Sequence, residues 1–189
     1  APAIAFDLQG HRGARGLLPE NTLAGFERAI ELGVTTLETD LAVTKDGVLV
    51  IAHDPHLNAD LVRGPDGTWL RATGPAIHRL TREELARYDI GRTNPASAYG
   101  RGFAGQKPAD GERFPTLAEV FAPAIHVARH GYVIDQVWFD QANANRDWFD
   151  DIPASAALFL DPDGTPRDVG TVFTNPALAK TYERIAHLD

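Results

Sequence analysis

Apolar segments of strand length alternate with segments of helical period along most of this 189-residue chain, and that alternation constrains the fold more than any other feature. Strands interleaved with helices pack as an α/β structure, whose crossover connections favour parallel pairing. Residues 3–8 read as a first strand running into the loop Gly10-His11-Arg12-Gly13-Ala14-Arg15-Gly16. A helix follows, with Asn21 as N-cap, Leu23, Phe26 and Ile30 on one face, and Gly33 as its stop. Residues 36–41 read as a strand, Lys45-Asp46-Gly47 as a turn, and residues 48–53 as a second apolar strand. The C-terminal third reads as a helix over 125–129, a strand over 132–139, a helix over 145–150, strands over 157–160 and 170–174, and a helix over 176–188. That is about six strands by pattern, fewer than the eight of a closed (β/α)₈ barrel.

Residues 57–80 and 89–115 are rich in Gly, Pro, Asp and Arg and read as long loops, the kind that carry function in a compact domain. Thr81 with Glu84, and Thr116 with Glu119, form capping boxes that each open a short helix. The formal charge of −8, from 26 acidic residues against 18 Lys and Arg, argues against a nucleic-acid backbone as partner. It leaves room for a single phosphate. No apolar run approaches the roughly 20 residues of a transmembrane helix. Cysteine is absent, which excludes disulfides, thiolate nucleophiles and Cys-ligated zinc. The missing Cys and the Ala-Pro-Ala start suggest a processed periplasmic or secreted protein.

Two pairs of residues point to chemistry. Glu38 and Asp40 are two apart on the predicted strand and share a face. Carboxylates aimed into one space repel unless a cation lies between them, and a hard divalent ion suits their oxygens. The bland alternative is a solvated strand face, and spacing alone leaves the two even. His11 and His53 each end a predicted strand, where α/β folds place their sites, and an imidazole pair suits acid–base work near neutral pH. Asp54 either orients His53 or begins a turn. Arg12 can grip a phosphate through its planar guanidinium.

In order, Gly10-His11-Arg12-Gly13, Pro19-Glu20-Asn21-Thr22, Glu38-Thr39-Asp40, Thr44-Lys45-Asp46-Gly47 and His53-Asp54 resemble the glycerophosphodiester phosphodiesterase family. The likeness continues through Tyr88-Asp89-Ile90-Gly91 to Phe114-Pro115-Thr116-Leu117-Ala118-Glu119-Val120. It implies a TIM-type (β/α)₈ barrel that hydrolyses glycerophosphodiesters, small molecules such as glycerophosphocholine, to glycerol 3-phosphate and an alcohol. By the same resemblance His11 and His53 are general acid and base, Glu38 and Asp40 bind one divalent cation, Mg²⁺ or Ca²⁺, and Arg12 contacts the phosphate.

The resemblance breaks near Ala122 or Pro123. The family's next strand carries Glu-x-Lys, a metal ligand and a phosphate contact. The only lysines here are Lys45, Lys107 and Lys180, none in such a strand, while Gly170-Thr171-Val172-Phe173-Thr174-Asn175-Pro176 resembles the last strand and turn. The expectation is therefore one domain over 1–189 with a discontinuity near 122–123, a barrel shortened or missing its middle strands. Unpaired edges of such a barrel favour a homo-oligomer. Asp140, placed at a C-terminal strand end, or Asp135 on the same strand, is the candidate third metal ligand. Leu158-Phe159-Leu160-Asp161-Pro162-Asp163-Gly164-Thr165 imitates a phosphatase nucleophile motif, but Asp-Pro-Asp-Gly is a natural turn and the chain ends too soon. His126 and His130 read as a solvated helix face. Trp138, Phe139, Trp148 and Phe149 read as core rather than a ligand cage. Two other readings stand beside the hydrolase: a non-catalytic phosphoester-binding scaffold, and a sphingomyelinase D-like phospholipase.

Overall fold

Gly13 shows how tightly the start of the chain is drawn together. Its φ is +83°, and a Cβ there would lie 2.8 Å from the Gly25 carbonyl carbon, so glycine is required for the loop to press on the following helix. A computed structural model of the protein describes residues 8–187. The chain packs as two compact units, Ala1–Val120 and Phe121–Asp189.

In the first unit β1 (Gln9–His11) pairs in parallel with β2 (Thr36–Glu38), in register Gln9 to Thr36 and His11 to Glu38. Between them runs α1 (Leu23–Glu31). The antiparallel hairpin β3 (Leu41–Val43) and β4 (Leu49–Ile51) follows, closed by a turn with Gly47 at φ +86°. After it come a 3₁₀ turn, Ile77–Arg79, and two short helices, α2 (Arg82–Leu85) and α3 (Ala98–Arg101). The core is Val50, Ala52, Leu57, Val62, Ile77, Leu85, Ile90 and Phe114. Half of these side chains or more come from the stretches expected to be loops. Those stretches have little regular structure, yet they supply the wall of the core. Arg63 fastens them by donating to Asp89 at 2.9 Å and pairing with Asp110, and Asp89 Oδ2 also accepts from Gly111 N–H at 3.0 Å.

The helix α4 (Leu117–His130) opens on the Thr116–Glu119 capping box. In the second unit β5 (Tyr132–Val133) pairs antiparallel with β6 (Val172–Phe173), joined through α5 (Gln136–Ala144), α6 (Arg146–Asp150) and α7 (Pro153–Phe159). The chain ends in α8 (Pro176–His187). Phe159 stacks on Phe149 and Phe173, and Trp138 lies 5.3 Å from Phe173. Of the four aromatics expected in the core, Trp138, Phe139 and Phe149 are only half-buried and Trp148 is 77% exposed, so the rings pack on one another around Phe173, the one buried member, rather than inside a closed core. His126 and His130 lie exposed on α4. No described helix is long and apolar enough to cross a membrane.

Several local expectations change. The strand expected over 3–8 lies almost wholly outside the described residues, and the strand that is present covers the Gln9–His11 end of the loop. Thr22, not Asn21, caps α1, because Thr22 is extended and its Oγ1 accepts from Gly25 N–H while Asn21 is left-handed. The buried face of α1 is Gly25, Phe26 and Ala29, and Ile30 is 60% exposed. Residues 36–41 are not one strand: β2 ends at Glu38 and the chain changes partner before β3. The strand over 132–139 shrinks to two residues because Asp135 caps α5, accepting from Trp138 N–H at 2.8 Å. Residues 157–159 belong to α7, started by Pro153 at its first turn. Among the described residues the only strand ladder that is parallel is β1–β2, and the strands pair two by two.

Candidate active site

Two strand pairings in the first unit assemble the site. The parallel register sets His11 beside Glu38, with His11 Nε2 3.6 Å from Glu38 Oε2, an ion pair when the ring is protonated. The hairpin begins just after Asp40 and ends just before Ala52, whose N–H donates to the Asp40 carbonyl at 3.1 Å. His53 therefore emerges at the same end of the hairpin as Asp40. A change of partner strand between Glu38 and Asp40, rather than one continuous strand, brings the two carboxylates to the site.

Arg12 joins these pieces. Its N–H donates to the Glu38 carbonyl at 2.9 Å and to Glu38 Oε2 at 3.2 Å, and its carbonyl accepts from Asn21 N–H at 3.0 Å. Arg12 and Asn21 both have positive φ, 54° and 58°. Such backbone costs roughly 1–3 kcal/mol for a residue with a side chain and persists where its surroundings over-determine it. Here the paired turn aims the guanidinium inward. Arg12 Nη1 donates to Glu20 Oε1 at 2.8 Å, and Nε lies 3.6 Å from Asp40 Oδ2. Glu20 also accepts from the Tyr99 hydroxyl.

The protonation states follow. Burial pushes the Tyr99 hydroxyl up to about 12, and the Glu20 carboxylate adds to the effect. Burial works against the Arg12 cation, but the Glu20 hydrogen bond and the charges of Glu20 and Asp40 outweigh it and hold it above the ordinary value. Asp54 is held below the ordinary carboxylate range: burial opposes this, and bonds from Asn58 and His53 prevail. His53 Nδ1 meets Asp54 Oδ1 at 2.8 Å, and Asp54 Oδ2 accepts from Asn58 Nδ2 at 2.7 Å. An ionised carboxylate only accepts, so Nδ1 carries the hydrogen and Nε2 is left for proton transfer. Asp54 orients the ring. Glu20, Asn21, His53 and Asp54 line one cleft, backed by Ile90 and Phe114.

The donor set suits a hard divalent cation at Glu38 and Asp40. Asp40 Oδ2 is buried without a hydrogen bond, and carboxylate oxygens are the ligands such ions prefer. Among the described residues no group of three His, Asp or Glu side chains is placed to hold a metal ion. Asp135 and Asp140 are not at a strand end: Asp135 caps α5, and Asp140 lies within it, accepting from Gln136 Nε2 at 2.8 Å. The Asp-Pro-Asp-Gly decoy is a turn, with Gly164 N–H donating to Asp161 and Asp163 Oδ1 accepting from Thr165.

Of His11, Arg12, Glu38, Asp40 and His53, the structure links the first four by direct contacts, His11 to Glu38 and Arg12 to both Glu38 and Asp40, whereas His53 lines the cleft of Glu20 and Asp54 and His11 borders a different one. Sequence reasoning gave no role to Glu20, Tyr99 and Asn58. The signal for Glu20 was its place in Pro19-Glu20-Asn21-Thr22. Tyr99 lies in an irregular stretch, where spacing predicts no neighbour.

Residues 11–187 match the profile of the glycerophosphoryl diester phosphodiesterase family. A Caldanaerobacter subterraneus glycerophosphodiester phosphodiesterase is 39% identical over 111 residues, covering 59% of this chain and 37% of that protein. Human glycerophosphoinositol inositolphosphodiesterase is 32% identical over 127 residues, covering 62% of this chain and 22% of that protein. A crystal structure of a candidate glycerophosphoryl diester phosphodiesterase from Silicibacter pomeroyi DSS-3 superposes with a TM-score of 0.63 at 31% identity, covering 83% of this chain and 55% of that one. The chain thus spans well under two thirds of the length of these relatives.

Proposed function

The chain belongs to the glycerophosphoryl diester phosphodiesterase family, and on that footing we propose that it hydrolyses glycerophosphodiesters to glycerol 3-phosphate and an alcohol. The observation that carries this reading is the convergence on Arg12. Glu38 holds its backbone, Asp40 and Glu20 flank its guanidinium, and Glu20 shares a cleft with His53. Two half-exposed imidazoles, a fixed cation and two carboxylates for a metal are the parts a phosphodiester hydrolysis needs. The family's barrel is the wider frame we infer, with the β1–β2 pair as part of its wall.

In this scheme the phosphate sits against the Arg12 charge, between His11 and His53. Water attacks phosphorus as one imidazole takes its proton, or the substrate's own hydroxyl attacks first and water then opens the cyclic diester with the same two imidazoles, so that the end product is glycerol 3-phosphate by either route. The P–O bond to the leaving alcohol breaks as the other imidazole donates a proton to that oxygen. Asp54 keeps the His53 ring aimed during both transfers. A divalent cation held by Glu38 and Asp40 would stabilise charge on the phosphoryl oxygens when bound.

The missing Glu-x-Lys favours a second reading, a phosphoester-binding protein without turnover. Assay of glycerol 3-phosphate release from glycerophosphocholine separates the two. The parent chain releases it, and His11→Ala and His53→Ala each lower the rate by about 10²-fold or more while the fold stays intact. Activity of either variant within tenfold of the parent refutes its role. A cyclic phosphate left as the end product, with no glycerol 3-phosphate formed from it, would point to the sphingomyelinase D-like reading instead.

A further inference from the structure

Asn21 has an unpaired amide oxygen in a place where its backbone already has a job. It is 6% exposed, its Oδ1 has no hydrogen-bond partner, and it lines the cleft that His53 and Asp54 border. The neighbouring Thr22 caps α1, so the Asn21 side chain is not needed there. A buried amide oxygen without a partner is destabilising, and glycine would satisfy the left-handed backbone at φ 58° without that cost.

The cleft also limits what can pair with this amide. The cleft offers about 30 Å³ to the centre of a water-sized group, room for roughly one or two such groups. Glu20 and Asp54 flank it and disfavour a phosphate or other anion. Both carboxylates already hold partners, Glu20 with Arg12 and Tyr99, Asp54 with His53 and Asn58, so no unpaired charge invites a cation. Val62, Ile90 and Phe114 form an apolar wall. What remains is a small neutral group with carbon on one side and a hydroxyl on the other. A hydroxyl both donates and accepts, so it satisfies either end of an amide.

We propose that this cleft is a subsite for the hydroxyl-bearing arm of a polyol phosphate, and that Asn21 selects for that hydroxyl. The assignment rests on the hydrolase reading for the identity of the polyol. It makes Asn21 a specificity-determining residue, distinct from the groups that hold the phosphate.

Calorimetric titration of the full chain with sn-glycerol 3-phosphate and with n-propyl phosphate, in the presence of Mg²⁺, tests it without requiring turnover. The parent protein prefers glycerol 3-phosphate by about tenfold, the worth of one well-made hydrogen bond. Asn21→Gly keeps the left-handed backbone, binds propyl phosphate as the parent does, and loses the preference. Equal weakening toward both ligands would place Asn21 on the phosphate and overturn the proposal, as would a parent without preference. If Asn21→Gly does not fold, the Asn21 side-chain amide resonances of the parent decide. They shift with glycerol 3-phosphate and not with propyl phosphate, and the reverse or an equal shift overturns the assignment. A preserved preference in a protein that never releases glycerol 3-phosphate would sink the hydrolase reading alone. A parent that turns over substrate but shows no preference would sink the subsite alone.

Discussion

Removing the Glu20 carboxylate should destabilise the first unit more than any surface change, and its size can be worked from the contacts. The Glu20 side chain is 3% exposed and that of Arg12 is 13% exposed. In Glu20→Ala, Arg12 Nη1 and the Tyr99 hydroxyl lose their acceptor together. An unsatisfied buried donor costs about 1–3 kcal/mol, more when charged, and breaking a buried ion pair from one side costs roughly 3–5 kcal/mol. Asp40, 3.6 Å from Arg12 Nε, keeps part of the compensation. The expected loss is therefore about 3 kcal/mol, a large share of the roughly 5–15 kcal/mol that holds a domain together. At about 2–4 °C per kcal/mol for a chain of this size, the melting temperature falls by roughly 6–12 °C. Urea unfolding followed by circular dichroism gives the free energy directly. Tyr99→Phe alone costs about 1 kcal/mol, and adding it to Glu20→Ala costs little more, since the shared bond is already gone. A Glu20→Ala protein within about 1 kcal/mol of the parent, or full additivity of the two substitutions, would refute the shared-acceptor account.

Two further outcomes follow from the same geometry. Because the Tyr99 hydroxyl is pushed up to about 12, its bonded form contributes stability that is complete below the ordinary tyrosine value near pH 10. That contribution is lost as pH rises through about 12. Ultraviolet titration should show a last phenolate step near there that Tyr99→Phe removes, and its persistence in that variant would contradict the assignment. Gly13→Ala meets both a φ of +83° and a backbone carbon at 2.8 Å. It should cost about 2 kcal/mol or more, and an unchanged thermal midpoint would contradict the close approach.

Much of the site was legible because sequence motifs end strands. His11 and His53 each follow an apolar stretch, and the structure places His11 in the last pair of its ladder and His53 two residues beyond the end of β4. The α/β alternation and the hairpin around Lys45-Asp46-Gly47 were legible from the same patterns. The shared position of Glu38 and Asp40 was expected for a different reason from the observed one. A period of two predicts one face of one strand, whereas here the chain leaves β1 for a new partner between them, and partner choice is a tertiary event. Glu20 was invisible as an Arg12 partner because the contact depends on two left-handed residues, Arg12 and Asn21, that propensity does not predict. In the second unit apolar runs such as 157–160 fit a strand or a buried helix equally well. Pro153 decided for α7. Asp135 and Asp140 moved from strand to helix because Asp135 is a better N-cap than a strand residue.

The central claim is that the front of the chain forms a metal-assisted phosphodiesterase site. It is tested most directly by glycerol 3-phosphate release from glycerophosphocholine with Mg²⁺ or Ca²⁺ added, and again with a chelator. The account predicts release that needs the cation and falls by at least about 10²-fold in Glu38→Gln or Asp40→Asn. Release that ignores the chelator, or no release from folded protein with either cation present, would contradict it.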